Sequence, residues 1–133
     1  MIITGAQVGV IMFGGALGAV ARYVLSTTIM DKIGANFPYG TLLVNVLGSF
    51  LMGFLAMFLV ERIGLDPLLR LGLFVGFLGA FTTFSTFSME TMNLFEQGYH
   101  VRALINMLVN VLFSVLAVWL GAILGNSASK LIG

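Results

Sequence analysis

Charged residues are confined to short clusters, and the segments between them are long and apolar. No Asp, Glu, Lys or Arg occurs in residues 1–21, 33–60, 71–89 and 103–129. Because about 20 apolar residues cross the hydrocarbon core of a bilayer as a helix, each segment predicts one membrane-spanning helix. The expected spans are residues 4–27, 39–60, 68–95 and 101–125.

Turn-forming and charged residues mark three short loops. The first contains Asp31, Lys32, Phe37 and Pro38, the second runs over 61–67, and the third over 96–98. Proline suits the start of a helix and glycine suits its end, so Pro38 predicts the start of the second span and Gly98 the end of the third. We expect residues 1–133 to form a single transmembrane domain, with no extramembrane domain.

The first apolar segment has an alternative interpretation as a secretory leader. Ala19-Val20-Ala21 resembles the small-residue site at which signal peptides are cleaved. Signal peptides carry a positive charge before their apolar core, and none precedes Arg22. A spanning helix is therefore the favoured interpretation.

Composition agrees with an all-α membrane protein. Hydrophobic residues make up 59% of the chain and charged residues 8%, against about 25% charged in soluble domains. The net charge of +1 provides no basic surface for nucleic acid. The chain has no Cys and one His, which excludes thiolate and His-rich metal sites. The sequence contains neither a carboxylate pair nor a phosphate-binding loop, the patterns that would indicate an enzyme.

Lys and Arg are balanced between the two membrane faces that four spans define. The face of the N-terminus carries Arg62, Arg70 and Lys130, and the opposite face carries Arg22, Lys32 and Arg102. Orientation normally follows an excess of these residues in cytoplasmic loops. Either the chain inserts in both orientations, so that copies of opposite orientation can pair, or it has an ordinary orientation preference that one misplaced charge conceals in this count.

Polar residues recur at helical spacing inside three of the spans. The second span places Thr41, Asn45, Ser49 and Gly53 on one face, the fourth places Asn106, Asn110 and Ser114 on one face, and the first aligns Gly14, Gly18 and Arg22. Small residues allow close helix packing, which is the favoured interpretation for the glycines. Asn45 indicates either paired polar packing or a polar pathway.

The third span has an unusual centre of glycines, hydroxyl residues and phenylalanines over residues 76–88. Gly and β-branched Thr weaken a helix, so we predict a break near Gly79–Thr83. Broken backbone at membrane depth must be buried or line a wet cavity. A continuous helix with hydroxyls bonded to their own carbonyls is the alternative. Phe84 and Phe87 share a helical face, and Glu90 follows one turn later, at a pore mouth or at the interface.

Three sequence blocks resemble the Fluc (CrcB) family of small fluoride channels. They are Gly14-Gly15-Ala16-Leu17-Gly18-Ala19-Val20-Ala21-Arg22-Tyr23, Gly40-Thr41-Leu42-Leu43-Val44-Asn45 and Gly79-Ala80-Phe81-Thr82-Thr83-Phe84-Ser85-Thr86-Phe87. The resemblance implies passive fluoride export through an antiparallel, dual-topology homodimer in a prokaryotic inner membrane. It also implies a structural Na⁺ on the dimer axis, held by backbone carbonyls of Gly79 and Thr82 from both copies.

The resemblance further implies a fluoride pathway of neutral donors. Asn45 would donate its amide N–H groups, and Phe84 and Phe87 would offer their ring edges. The other expected pathway residues are Thr41, Thr83, Ser85, Thr86, Asn110 and Ser114, with Arg22 and Glu90 at the vestibule. Val118 stands where the family often has a hydroxyl residue, so the lining at one end of the expected pathway is left undecided.

Two other functions compete with a channel. A small proton-coupled multidrug exporter is equally short, but it needs a carboxylate deep in the membrane, and Glu90 lies late in its span. A non-transporting membrane subunit is the third possibility, and it predicts no ion flux after reconstitution.

Overall fold

The structure, a computed structural model, is all-helical and describes residues 2–132, apart from the side chains of Glu61, Arg62 and Ile132. Arg62, one of the charges in the orientation count, thus lies outside the described side chains. The elements are α1 (Gly5–Ile33), α2 (Tyr39–Leu55), π1 (Ala56–Ile63), α3 (Pro67–Arg70), π2 (Leu71–Leu78), α4 (Gly79–Phe81), α5 (Phe84–Glu96) and α6 (His100–Ile132).

Four helical stretches are long and apolar enough to cross a membrane, as the sequence predicts. They cover Gly5–Ile33, Tyr39–Val60, Pro67–Glu96 and His100–Leu131. Between 11% and 22% of the most apolar window in each is buried inside the chain, so most of their apolar surface faces outward. Together these properties define a multi-pass membrane protein.

Two of the predicted span ends differ from the ends of the helices. The first helix ends at Ile33 rather than at residue 27, so Asp31 and Lys32 lie in α1 and not in a loop. Lys32 suits the last turn of α1, because a cation there interacts favourably with the negative end of the helix dipole. The second apolar stretch ends at Val60, as predicted, and its helix continues through π1 to Ile63. Helix α6 reaches Ile132 rather than residue 125.

Local sequence explains the helix ends. Gly98 has φ of 82°, and the N–H of Tyr99 donates to the carbonyl of Leu94 at 2.8 Å, which is the glycine stop expected at the end of the third span. At the start of α1, Thr4 and Gln7 cap each other: the Thr4 N–H donates to Gln7 Oε1 at 2.9 Å and the Gln7 N–H donates to Thr4 Oγ1 at 3.3 Å.

Glycines bring the helix backbones into direct contact. A Cβ atom on Gly14 would overlap the carbonyl oxygen of Gly72, and one on Gly18 would overlap that of Phe77. Helix α1 therefore packs on π2 only because both positions lack a side chain. Helices α2 and α6 come into backbone contact in the same way, at Gly53, Gly121 and Gly125. The predicted packing role of the glycine stripe is confirmed by these contacts.

The third stretch changes direction between α4 and α5. Thr82 has φ, ψ of −87°, 157° and Thr83 has −150°, 116°, so both residues are extended while their neighbours are helical. The Thr83 N–H, which would bond to the Gly79 carbonyl in a continuous helix, donates to Asn45 Oδ1 at 2.8 Å. The Thr83 N–H thereby leaves the helical hydrogen-bond ladder, whereas the Thr82 N–H still donates to the Leu78 carbonyl at 3.1 Å.

Candidate functional site

Asn45 of α2 clamps the extended backbone between α4 and α5. Its Oδ1 accepts from the Thr83 N–H at 2.8 Å, and its Nδ2 donates to the Thr83 carbonyl at 3.0 Å. The second Nδ2 hydrogen bond goes to Asn110 Oδ1, also at 3.0 Å. One amide therefore satisfies both the N–H and the carbonyl of Thr83, as buried backbone requires.

Thr83 also caps the start of α5. Its Oγ1 accepts from the Thr86 N–H at 3.2 Å and bonds to Thr86 Oγ1 at 2.9 Å. The first N–H groups of α5 point toward this junction, so the positive end of the helix dipole lies where Asn45 and Thr83 meet. The site thus favours negative charge without a fixed cation at its centre.

A cavity of about 320 Å³, which we name cavity A, extends from the junction along α2 and α6. Ser114 Oγ lies buried beside it without a hydrogen-bond partner among the described residues, and is thus a donor available to a guest. The lining residues are Asn45, Gly48, Ser49, Met52, Thr82, Thr83, Phe84, Phe87, Asn110, Val111, Ser114, Val115 and Val118.

Phe84 and Phe87 form an edge-to-face pair at the wall of cavity A. Their ring centroids are 5.2 Å apart with planes at 65°. Phe87 is 6% exposed, whereas Phe84 is 75% exposed. The Phe84 ring therefore has few contacts within a single copy of the chain. Aromatic ring edges carry partial positive charge, and this pair presents two of them beside the amides.

A second cavity of about 240 Å³, cavity B, also borders Thr83 and is lined by residues of α1, α2 and α5. Arg22 is half-buried there, and its Nε has no hydrogen-bond partner within the described part of the chain. Cavity B is lined by Arg22, Tyr23, Ser26, Thr41, Val44, Thr83 and Thr86. Thr83 alone lines both cavities.

Glu90 borders cavity B through a hydrogen bond. Thr41 Oγ1 donates to Glu90 Oε1 at 2.7 Å, while Glu90 Oε2 lacks a partner among the described residues. A carboxylate and a guanidinium thus flank the same hydroxyl-lined space without forming an ion pair. The two residues expected at the vestibule thus lie near the same cavity.

The structure assembles most, but not all, of the expected residues. Ser85 lines neither cavity; it is exposed, and its Oγ approaches Thr83 Oγ1 only to 3.5 Å. Gly79 also lies outside both lining sets. The sequence pattern indicated Asn106 only as a member of the polar stripe on α6, and it did not identify Thr91 or Ser26. Ser26 follows Arg22 by one turn, and that spacing was the available signal.

Residues 9–122 match the family model described as CrcB-like protein, Camphor Resistance (CrcB). The chain belongs to the CrcB family. A protein of Magnetococcus marinus is 51% identical over 119 residues, which cover 90% of this chain and 97% of the relative. Relatives of this CrcB chain in Methylococcus capsulatus (50% identical over 114 residues) and Legionella pneumophila strain Paris (49% over 113) cover 86% and 85% of it.

These three relatives of the CrcB chain carry the name fluoride-specific ion channel FluC. The chain spans about half the length of the Methylococcus relative, 50%, and 84% of the Legionella relative. Both cavities lie largely within residues 9–122, so the matched region of the CrcB chain contains the candidate site.

Proposed function

We propose that this protein is a fluoride-selective channel that exports fluoride passively. The support from its relatives is their name, fluoride-specific ion channel. The observation that carries the proposal is the Asn45–Thr83 junction, where a neutral amide binds the one residue that lines both cavities. The protein is a transporter and not an enzyme. The organisms of the relatives favour the inner membrane of a prokaryote as its location.

Fluoride is strongly hydrated, so a pore must replace its water with other donors. Arg22, with its free Nε, raises the concentration of anions in cavity B. Beyond the junction, Ser114 Oγ and the ring edges of Phe84 and Phe87 supply donors along cavity A. None of the residues lining cavity A is charged, so no site holds the anion too tightly to release it.

The experiment that tests this function compares fluoride with chloride in liposomes that contain the purified protein. We expect fluoride efflux, read by a fluoride electrode, to exceed chloride efflux by at least about 100-fold, which requires a difference of about 2.7 kcal/mol between the two barriers. Raising inert salt should slow the fluoride flux, because it screens Arg22. Equal fluxes, or none above protein-free liposomes, would contradict the proposal.

The exposed Phe84 ring supports a second copy as the partner that completes the pathway. Phe84 lies on the wall of cavity A together with polar residues, and a membrane site that opens to lipid leaves polar atoms unpaired. The balance of Lys and Arg supports an antiparallel arrangement in which each copy contributes to both pathways. The assembled form is therefore a dual-topology homodimer surrounded by lipid.

Sidedness labelling tests the antiparallel arrangement. The chain has no Cys, so Asn126→Cys, at the exposed end of α6, provides a single label site. In sealed vesicles, an impermeant maleimide should label about half of the molecules, and the rest only after the membrane is opened, since equal Lys and Arg on both faces give no preferred orientation. Labelling of all or none of the sites from outside would exclude dual topology.

The interruption also fits a structural Na⁺. The Thr83 N–H bonds to Asn45 instead of Gly79 O, and the Thr86 N–H bonds to Thr83 Oγ1 instead of Thr82 O. The carbonyls of Gly79 and Thr82 are thereby released from the donors that a continuous helix would supply, and such carbonyls suit Na⁺. When bound, the ion would neutralise the partial negative charge of these carbonyls on the dimer axis.

Removal of Na⁺ should lower stability rather than alter the pathway directly. We expect the melting temperature of the purified protein to fall when N-methylglucamine replaces Na⁺ at constant ionic strength, because a ligand bound only to the native state stabilises it. Replacement of chloride by gluconate, with Na⁺ retained, is the matched control. A melting temperature that depends on neither ion would argue against the sodium site.

A further inference from the structure

A series of hydrogen bonds between side chains runs from the junction into the buried contact between α5 and α6. Asn45 Nδ2 donates to Asn110 Oδ1 at 3.0 Å, and Asn110 Nδ2 donates to Asn106 Oδ1 at 2.8 Å. Asn106 Nδ2 donates to Thr91 Oγ1 at 2.9 Å, and Thr91 Oγ1 donates to the Phe87 carbonyl at 2.8 Å. We name Asn45, Asn110, Asn106 and Thr91 the amide relay.

Backbone groups fix the direction of the amide relay at both ends. The Thr83 N–H is only a donor, so Asn45 must turn Oδ1 toward it and Nδ2 toward Asn110. The Phe87 carbonyl is only an acceptor, so Thr91 must donate to it and accept from Asn106. Each amide between them has one orientation that satisfies both neighbours, and no member can turn over alone.

Burial makes the orientation of the amide relay costly to change. Asn106 is 0% exposed, Asn110 4% and Thr91 7%, so water cannot replace a lost partner. An unpaired polar group in such a place costs more than an ordinary hydrogen bond contributes, and bonds in series strengthen one another. The relay therefore acts as one unit.

Asn106 and Thr91 do not themselves line cavity A or cavity B. Asn106 holds Asn110 twice, since Asn110 Nδ2 also lies 3.1 Å from the Asn106 carbonyl. Any effect of Asn106 on a passing ion must therefore travel through Asn110 to Asn45, or through Thr91 to the backbone of Phe87.

We propose that Asn106, supported by Thr91, is a positioning residue that sets the orientation of the Asn45 amide and thereby the donors offered at the junction. The proposal rests on the fluoride-channel function. It assigns the buried end of the polar stripe on α6 to control of conduction rather than to helix packing alone.

Single-channel recording separates positioning from folding. In Asn106→Leu, which keeps the shape and removes the amide, we expect the unitary fluoride current to fall about tenfold, the factor that corresponds to one net hydrogen bond. A purely structural role would reduce the number of active channels and leave the unitary current unchanged, which would overturn the proposal.

A matched pair at Thr91 covers the case in which Asn106→Leu fails to fold. Thr91→Val removes the hydroxyl at nearly constant shape, whereas Thr91→Ser keeps it. We expect a reduced unitary current in Thr91→Val, and a current within about twofold of the parent in Thr91→Ser, because the serine retains both hydrogen bonds. Equal currents in the two variants would contradict the relay.

A measurement that does not involve fluoride distinguishes failure of the relay from failure of the channel function. The side-chain amide resonance of Asn45, assigned by its loss in Asn45→Asp, should shift in Thr91→Val and stay in place in Thr91→Ser. An unmoved resonance in Thr91→Val would overturn the relay even if the parent conducts. Absence of fluoride current in the parent would defeat only the channel function.

Discussion

Asn45→Asp is expected to reduce fluoride flux by at least about 100-fold, because an added charge about 4 Å from a passing anion costs about 4 kcal/mol at an effective dielectric constant near 20. The new carboxylate would also face the Thr83 carbonyl and Asn110 Oδ1, two acceptors that the Asn45 amide satisfies with its N–H groups. Fluoride efflux from liposomes, normalised to folded protein, is the measurement.

Asn126→Asp is the matched control for the added charge. Asn126 is exposed near the end of α6 and lines neither cavity, so the same substitution there should leave flux nearly unchanged. Flux in Asn45→Asp within about twofold of the Asn126→Asp value would mean that the junction is not on the ion pathway, since the electrostatic penalty is far larger.

Gly18→Val is expected to destabilise the protein by about 3 kcal/mol or more, at or beyond the upper end of overpacking effects. The Cβ position of Gly18 overlaps the backbone of Phe77 rather than a flexible side chain. The neighbouring helix must therefore move as a whole to relieve the overlap. The measurement is the midpoint of thermal unfolding in detergent, read from the amount of protein that elutes as the folded species after heating.

Gly9→Val provides the comparison on the same helix. A Cβ atom on Gly9 meets nothing within 4 Å, so this variant removes the same glycine character from α1 without a clash. Its unfolding midpoint should stay close to that of the parent. Similar losses in both variants would show that glycine flexibility, and not the contact with Phe77, determines stability at these positions.

The number and approximate positions of the helices follow from the sequence because the membrane imposes length and polarity together. The ends are harder to predict. Asp31 and Lys32 read as loop residues, yet they extend α1, since polar side chains at the membrane surface are solvated whether the backbone is helical or not. The sequence also did not predict the π-helical turns of π1 and π2.

The stripe on α2 singled out Asn45, because its amide is too costly to leave unpaired in a membrane, and the structure pairs that amide with Thr83 and Asn110. The partners of Asn45 were not predictable. Asn110 lies 65 positions away in the chain, and a repeat along one helix shows a polar face without showing which helix it meets. Asn106 belongs to the polar stripe on α6, but only its hydrogen bond to Thr91 shows that the polar contacts of this stripe extend to α5.

Thr83 is the one residue shared by the walls of both cavities, and this has an electrical consequence. Where water fills a space inside a membrane protein, the voltage changes little across that space and steeply across the dry material that remains. With water in both cavities, the membrane potential would be concentrated at the Asn45–Thr83 junction. A potential of 100 mV is worth about 2.3 kcal/mol per elementary charge, and the anion would experience its effect mainly at that step.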